Sequence, residues 1–346
     1  MDSLLARKLI VVTGKGGTGK TTIAAAIGML AAGGGLKTVV LDAVGDGGRL
    51  RRLFHGGGAQ RPGGDAGSAA SVNGTERQPD GAPPACQPGG TPGKDDGPGP
   101  HRLAENLSVL SIEPEAALAD WMQALAGRLP TRMLTSRASF QYFAAAAPGA
   151  RELVSMSKVW SLASGEDDHS CDLVVLDAPA TGHALAMLDS PRTFGAIARM
   201  GPLSGQADAI RELLLDPART GYLAVALASE MAVTETLELQ DRLRERLGVE
   251  LASVIVNATL RRRFSAGEVE QIGALAGNGA GAAQRPLARA AVAAARTAHE
   301  RGRLQHNQLA RLRRHRLPVL QIPFVFQPDL DLQALSEIAA ALDGRI

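Results

Sequence analysis

The run Gly14-Lys15-Gly16-Gly17-Thr18-Gly19-Lys20-Thr21 has residue types and spacing suited to holding a chain of phosphates. Its glycines let successive backbone N–H groups turn inward around phosphate oxygens, at the positive end of a following helix. The pattern Gly-x4-Gly-Lys-Thr gives Lys20 the β- and γ-phosphates and gives the Thr21 hydroxyl an Mg2+ ion, which keeps oxygen ligands and several waters. Gly14, Lys15, Gly16, Gly17, Thr18, Gly19, Lys20, Thr21 and Thr22 are therefore the expected nucleotide-binding segment. A second run, Asp177-Ala178-Pro179-Ala180-Thr181-Gly182-His183, follows an apolar stretch. An acid at the carboxyl end of a buried strand is placed to support the same Mg2+, and the Pro and Gly after it suit a loop that moves when γ-phosphate is lost.

These residues need a strand before each of them and a helix after the first. Apolar runs of strand length lie at 9–12, 38–41, 107–112, 173–176, 222–227, 253–256 and 319–322. Most are near-continuously apolar, as in strands buried on both faces of a mainly parallel sheet. Helical patterns lie at 21–32, 115–125, 233–247 and 287–316. Strands alternating with helices predict a doubly wound α/β fold, a single phosphate-loop domain over 1–346. The stretches 129–164 and 194–215 look helical without a strand between their halves and predict a helical subdomain beside the sheet. Leu332, Leu335, Ile338, Ala339 and Leu342 form a C-terminal apolar stripe without the lysines of a membrane-surface helix, so it reads as core.

Composition excludes several classes. The chain has 346 residues, 45% hydrophobic and 21% charged, with a net charge of +2. No global positive field argues for nucleic acid or anionic lipid. The basic runs Arg261-Arg262-Arg263 and Arg311 to Arg316 have no interleaved aromatics, and the second reads as a solvated helix face. Two cysteines, Cys86 and Cys171, cannot make a disulfide framework or a cysteine-built zinc site. The N-terminus lacks the order of a secretory signal and no run is long and apolar enough to span a bilayer, so a cytoplasmic location is expected. Residues 55–101 hold 13 glycines and 8 prolines among 47 positions, with only Val72 and Cys86 apolar beyond alanine. Such a stretch cannot offset its ordering entropy and reads as a disordered insertion.

Beyond these elements, Lys-Gly-Gly-Thr-Gly-Lys-Thr resembles the deviant Walker motif of the ATPases that include partition ATPases, the nitrogenase iron protein and arsenite pumps. The run from Asp177 to His183 is similar to the Asp-x-x-Pro-Thr-Gly-His switch of the arsenite-pump and tail-anchored-protein-targeting branch, with Ala180 breaking its Pro-Thr pair. Glu113-Pro114 after a strand and Pro148-Gly149-Ala150-Arg151-Glu152 also match that branch. The resemblance implies a dimer in which Lys15 reaches the partner's ATP and offsets charge in trans, as an arginine finger does. It further implies that Asn257 contacts adenine, that the segment near Pro323 closes over the base, and that ATP and Mg2+ are the cofactors. His183 reads either as part of this switch or as a plain loop histidine.

One departure bears on activity. The family places a water-orienting acid after its second strand, but Asp42-Ala43-Val44-Gly45-Asp46 puts Val44 there. Either Asp46 substitutes after a loop shift, or Asp42 does the work, or the chain hydrolyses ATP poorly. The leading expectation is an ATP-dependent homodimer, or a heterodimer with a paralogue, acting on an unidentified client or membrane partner. A hydrolysis-poor regulatory subunit and a partition-type ATPase on DNA or membrane are the alternatives. Met133, Met156, Met187 and Met200 are scattered, so no methionine-rich client groove is marked.

Overall fold

The computed structural model describes residues 3–43, 48–55, 100–112, 149–165, 171–197, 202–278, 285–327 and 329–346. Eight strands form one sheet: β1 (Leu9–Gly14), β2 (Thr38–Asp42), β3 (His101–Ala104), β4 (Leu107–Ser111), β5 (Leu173–Ala180), β6 (Thr220–Leu227), β7 (Ser253–Thr259) and β8 (Val319–Pro323). Their order is β3-β4-β2-β5-β1-β6-β7-β8, parallel throughout except for the antiparallel β3–β4 pair. From β1 the chain runs to one side through β2 and β4, then returns through β5 and continues to the other side through β6. The crevice at the carboxyl end of β1 is therefore a topological switch point, where such sheets bind ligands.

The described helices are α1 (Lys20–Gly33), α2 (Gly48–His55), α3 (Ala150–Ser164), α4 (Thr181–Ile197), α5 (Pro202–Leu215), α6 (Glu230–Leu247), α7 (Ala266–Asn278), α8 (Arg285–Arg314) and α9 (Leu332–Leu342). Alternation along each strand divides them between two layers. Leu9, Val11, Val174 and Leu176 face a core shared with α3, α4, α5 and α6, whereas Ile10, Val12, Leu173 and Val175 face α1, α2 and α9. Burying both faces explains why these strands read as continuous apolar runs. α1 is buried almost all round, and its alanines let it lie close between the sheet and α9. The C-terminal stripe is core, with Leu335, Ile338 and Leu342 packed in α1's layer.

Differences from the sequence reading lie at edges. The insertion expected over 55–101 gives up both ends: His55 closes α2, and His101 opens β3. β3 folds back on β4 through only Glu105 and Asn106, a hairpin short enough to escape a search for apolar runs. β5 runs on to Ala180, so Asp177 lies within the strand and α4 begins at the next residue, Thr181. Of the expected helical subdomain, 129–148 lies outside the described residues, as does the helix expected at 115–125. In the described part, Leu153, Met156, Phe194 and Leu213 share one core with β1 and β5. Met156 and Met187 are buried there too; Met133 and Met200 lie outside the described residues. α7 was not marked by any strong apolar period, and Leu275 on it is exposed.

The closeness of α1 to the sheet has a direct test. A Cβ on Gly28 would lie 2.3 Å from Val40 Cγ2 and 3.3 Å from Leu107 Cδ1. Val40 is stiff and buried, so Gly28→Ala is expected to lower stability by about 1–3 kcal/mol despite alanine's better helix propensity. In denaturant titrations, adding Val40→Ala should recover part of that loss, because the new methyl group fills space that Val40 vacates. A Gly28→Ala chain as stable as its parent would contradict this packing.

Candidate nucleotide-binding site

β1 ends at Gly14, whose φ of +140° takes the chain into the phosphate loop. A Cβ there would stand 2.2 Å from the Val225 carbonyl oxygen of β6, so backbone rather than a movable side chain excludes every other residue. The loop is tied from inside: the buried Thr18 hydroxyl donates to the Lys15 carbonyl at 2.9 Å, and the Lys20 ammonium donates to the same oxygen at 3.3 Å. Gly19, at φ +92°, caps α1 without any side-chain acceptor. The N–H groups of α1's first turn thus meet the crevice with the helix dipole's positive end and no capping side chain.

Asn257 of β7 braces this loop. Its Nδ2 donates to the Thr18 carbonyl at 2.9 Å, and its Oδ1 accepts from the Ala258 N–H at 2.8 Å. A Cβ on Gly19 would fall 2.3 Å from that Nδ2. The carboxamide assigned to adenine from the family resemblance therefore already holds the loop, with one N–H left for another partner. Pro323 closes β8 beside Thr259, and the next residue, Phe324, donates its N–H to the Thr259 carbonyl at 3.0 Å.

On the other side of β1, Asp42 and Asp177 are register partners across β2 and β5, both buried. The Thr21 hydroxyl donates to the Asp177 carboxylate, while Asp177 Oδ1 has no hydrogen-bond partner among the described residues. Burial raises the Asp177 pKa to about 6, and the Asp42 charge adds to the rise; Thr21, Lys20 and Arg49 oppose it. Burial also pulls the Lys20 ammonium below its usual range, opposed by Asp177. An unpartnered carboxylate oxygen beside a threonine hydroxyl and a second acid fits a divalent cation. Among the described residues no group of three His, Cys, Asp or Glu could hold one alone. Mg2+ would therefore be held by Thr21 and supported by Asp177, with phosphate oxygens and water completing its shell.

Between the loop and its neighbours lies a cleft of about 500 Å3. Gly17, Gly19, Lys20, Thr21 and Thr22 form one wall, and Arg49, Arg52 and Leu53 of α2 form another; Asp329 and Leu330, beyond β8, close it. Lys15 and Pro323 are not among its walls. The Lys15 ammonium instead forms an ion pair with Glu235 of α6, each side chain about one-third exposed. Sequence reasoning missed Arg49, Arg52, Asp329, Leu330 and Glu235. The arginines left a signal, a three-residue spacing offset from Leu50 and Leu53, whereas Glu235 left none. Val44 and Asp46 lie outside the described residues, as does Glu113-Pro114. His183 is exposed in the first turn of α4. The Cys171 thiol, against the core, donates to the Leu162 carbonyl at 3.4 Å, and Cys86 lies outside the described residues.

The acid pair makes a signed prediction for the ligand-free chain. A folded-state pKa raised from 3.8 to about 6 means that ionising Asp177 burdens the fold as pH rises between those values. The full burden, on the order of 3 kcal/mol, is present above pH 6. Asp177→Asn keeps the Thr21 hydrogen bond and removes the charge. It should raise stability at pH 7.5 by about 1–3 kcal/mol, with the gain shrinking below pH 6 and gone near pH 3.8. Denaturant midpoints across that range check it.

Comparison with known proteins agrees with this geometry. Residues 9–345 match the family model described as the CobQ/CobB/MinD/ParA nucleotide-binding domain. The chain is 27% identical over 261 residues to ATPase BagA of Mycobacterium tuberculosis, covering 73% of this chain and 65% of that protein. It thus spans just under two thirds of that relative's length. It is also 26% identical to ATPase GET3 of Kluyveromyces lactis over 199 residues, 47% of this chain and 56% of that one. A Halobacterium salinarum protein named as an arsenical pump-driving ATPase matches over 121 residues at 26% identity, 33% of this chain and 18% of that protein. With the phosphate loop at the switch point of a mostly parallel sheet, the chain belongs to the CobQ/CobB/MinD/ParA nucleotide-binding family.

Proposed function

We propose that this chain is a Mg2+-dependent ATPase that binds ATP in the cleft beside Lys20 and works as a dimer, passing its nucleotide state to a client or membrane partner. The observation that carries the reading is the division of labour between two lysines of one loop. Lys20 lines the cleft, whereas Lys15 lies off it, held at a partly exposed position by Glu235. A lysine on a phosphate loop that does not serve its own cleft is suited to serve another copy's.

In this reading the α1 N-terminus and the loop N–H groups bind the β- and γ-phosphates, and Lys20 offsets their charge. Mg2+, which Thr21 would hold and Asp177 support, would supply positive charge against the phosphates. A cation at this end of the cleft would favour the ionised form of Asp177, whose charge burial now opposes. Lys15 exchanges Glu235 for the partner's phosphates as the two copies close. Loss of γ-phosphate then acts on Asp177 and, through the unbroken β5–α4 junction, on α4. Val44 supplies no carboxylate to orient water, so turnover is slow, and a better-equipped paralogue is one way to raise it. A cytoplasmic location fits; no helix among the described residues is long and apolar enough to cross a membrane.

Sedimentation velocity and steady-state turnover test this together. ATP with Mg2+ should convert the chain to a dimer, and ADP should not. Lys20→Ala should abolish nucleotide binding. Lys15→Ala should keep binding but lose the dimer and roughly 100-fold or more of turnover. Adding an acid with Val44→Asp should raise turnover. An ATP-loaded chain that stays monomeric, with turnover indifferent to Lys15→Ala, would overturn the reading.

A further inference from the structure

The second wall of the cleft carries chemistry that the nucleotide reading does not use. α2 is anchored by Leu50, fully buried, and by Leu53, which packs against the same core. That anchoring turns Arg49 and Arg52, three residues apart on the helix, toward the cleft. Arg49 is near enough to Lys20 and to Asp177 for its charge to act on both. No hydrogen bond or ion pair engages its guanidinium among the described residues. Arg52 donates its Nε to the Gly48 carbonyl at 3.1 Å and has no other hydrogen bond among the described residues. Three cations, Lys20, Arg49 and Arg52, thus converge on one cleft of about 500 Å3. The acids that meet them are Asp177 and Asp42, which already repel each other, and Asp329 at the far wall.

Like charges collected around an open space are unfavourable until a polyanion enters it. Guanidinium groups suit that anion well, because their fork can donate to two phosphate oxygens at once. Position decides which phosphate each would meet. The Lys20–Asp177 side is where the β- and γ-phosphates and the cation belong, and Arg49 stands on that side. Arg52, nearly one turn further along α2, faces the same anion from further out. We propose that Arg49 and Arg52 are phosphate-binding residues acting in cis, with Arg49 on the γ-phosphate, so that this chain distinguishes nucleoside triphosphate from diphosphate within a single copy.

This proposal rests on the nucleotide reading above and deepens it. It gives the chain a guanidinium on the terminal phosphate from its own α2, independent of any lysine from a second copy.

Isothermal titration calorimetry on the full chain, with Mg2+ and either ATPγS or ADP, tests it. Arg49→Ala should weaken ATPγS binding roughly 10- to 100-fold and ADP binding less than about threefold, the loss typical of a charged hydrogen-bonded contact. Arg49→Lys should fall between parent and Arg49→Ala, because charge is kept and the fork is lost. Arg52→Ala should give a smaller loss of the same kind. Both arginines are exposed, and thermal melts of the ligand-free variants should match the parent. An unchanged ATPγS-to-ADP ratio in Arg49→Ala, or an equal loss for both nucleotides, would overturn the proposal while leaving the nucleotide reading intact. A parent chain that bound neither nucleotide would sink both.

Discussion

Two carboxylates side by side in a buried sheet are the constraint around which this molecule is arranged. Asp42 and Asp177 face one another across β2 and β5, away from water, where a carboxylate's charge calls for positive partners. Everything near them answers that need in part. Thr21 donates a hydrogen bond, Lys20 lies close by, and Arg49 reaches in from α2. Asp177 Oδ1 still has no hydrogen-bond partner among the described residues, and a cation at this end of the cleft would suit it. An apolar pair at these positions would make a quieter sheet and leave the cleft without an acid for a cation.

The same constraint explains the backbone around it. A loop can present N–H groups to phosphate only if no side chain intrudes, and here a Cβ on Gly14 or Gly19 would strike Val225's carbonyl or Asn257's amide. β6, next to β1 on the side away from the acids, and β7 beyond it therefore back the loop. The sheet's order places this backing on one flank and the acid pair on the other, so β1 delivers the loop into a crevice whose two sides have different chemistry.

Much of this was legible beforehand because it is local. The phosphate loop is one contiguous run, and two-sided burial writes itself as unbroken apolar stretches such as Ile10 to Val12 and Val174 to Leu176. The acid in β5 was legible for the same reason, lying one residue past such a stretch. What escaped depends on contacts between distant residues. Glu235 sits 220 positions from Lys15, and nothing in its helix marks it for that pairing. Asn257's second duty, bracing Thr18, follows from a crossing of β7 past the loop that no spacing encodes. Arg263 likewise gains an aromatic neighbour only through folding, its guanidinium lying 5.7 Å from the Phe326 ring centroid although no aromatic is interleaved with the arginine run. Short elements escaped as well: β3 has four residues, too few for a period to show.

The join between β5 and α4 has a mechanical corollary. Ala180 ends the strand and Thr181 starts the helix, with no spare residue between them to absorb motion. A connector without slack behaves as a crank: a small displacement at the acid must appear as a tilt of the whole seventeen-residue rod. Pro191 interrupts that rod partway along, at a point where the backbone ladder lacks one rung. Any bending of the tilting rod would concentrate at that break, a few residues before Phe194 anchors its far end in the core.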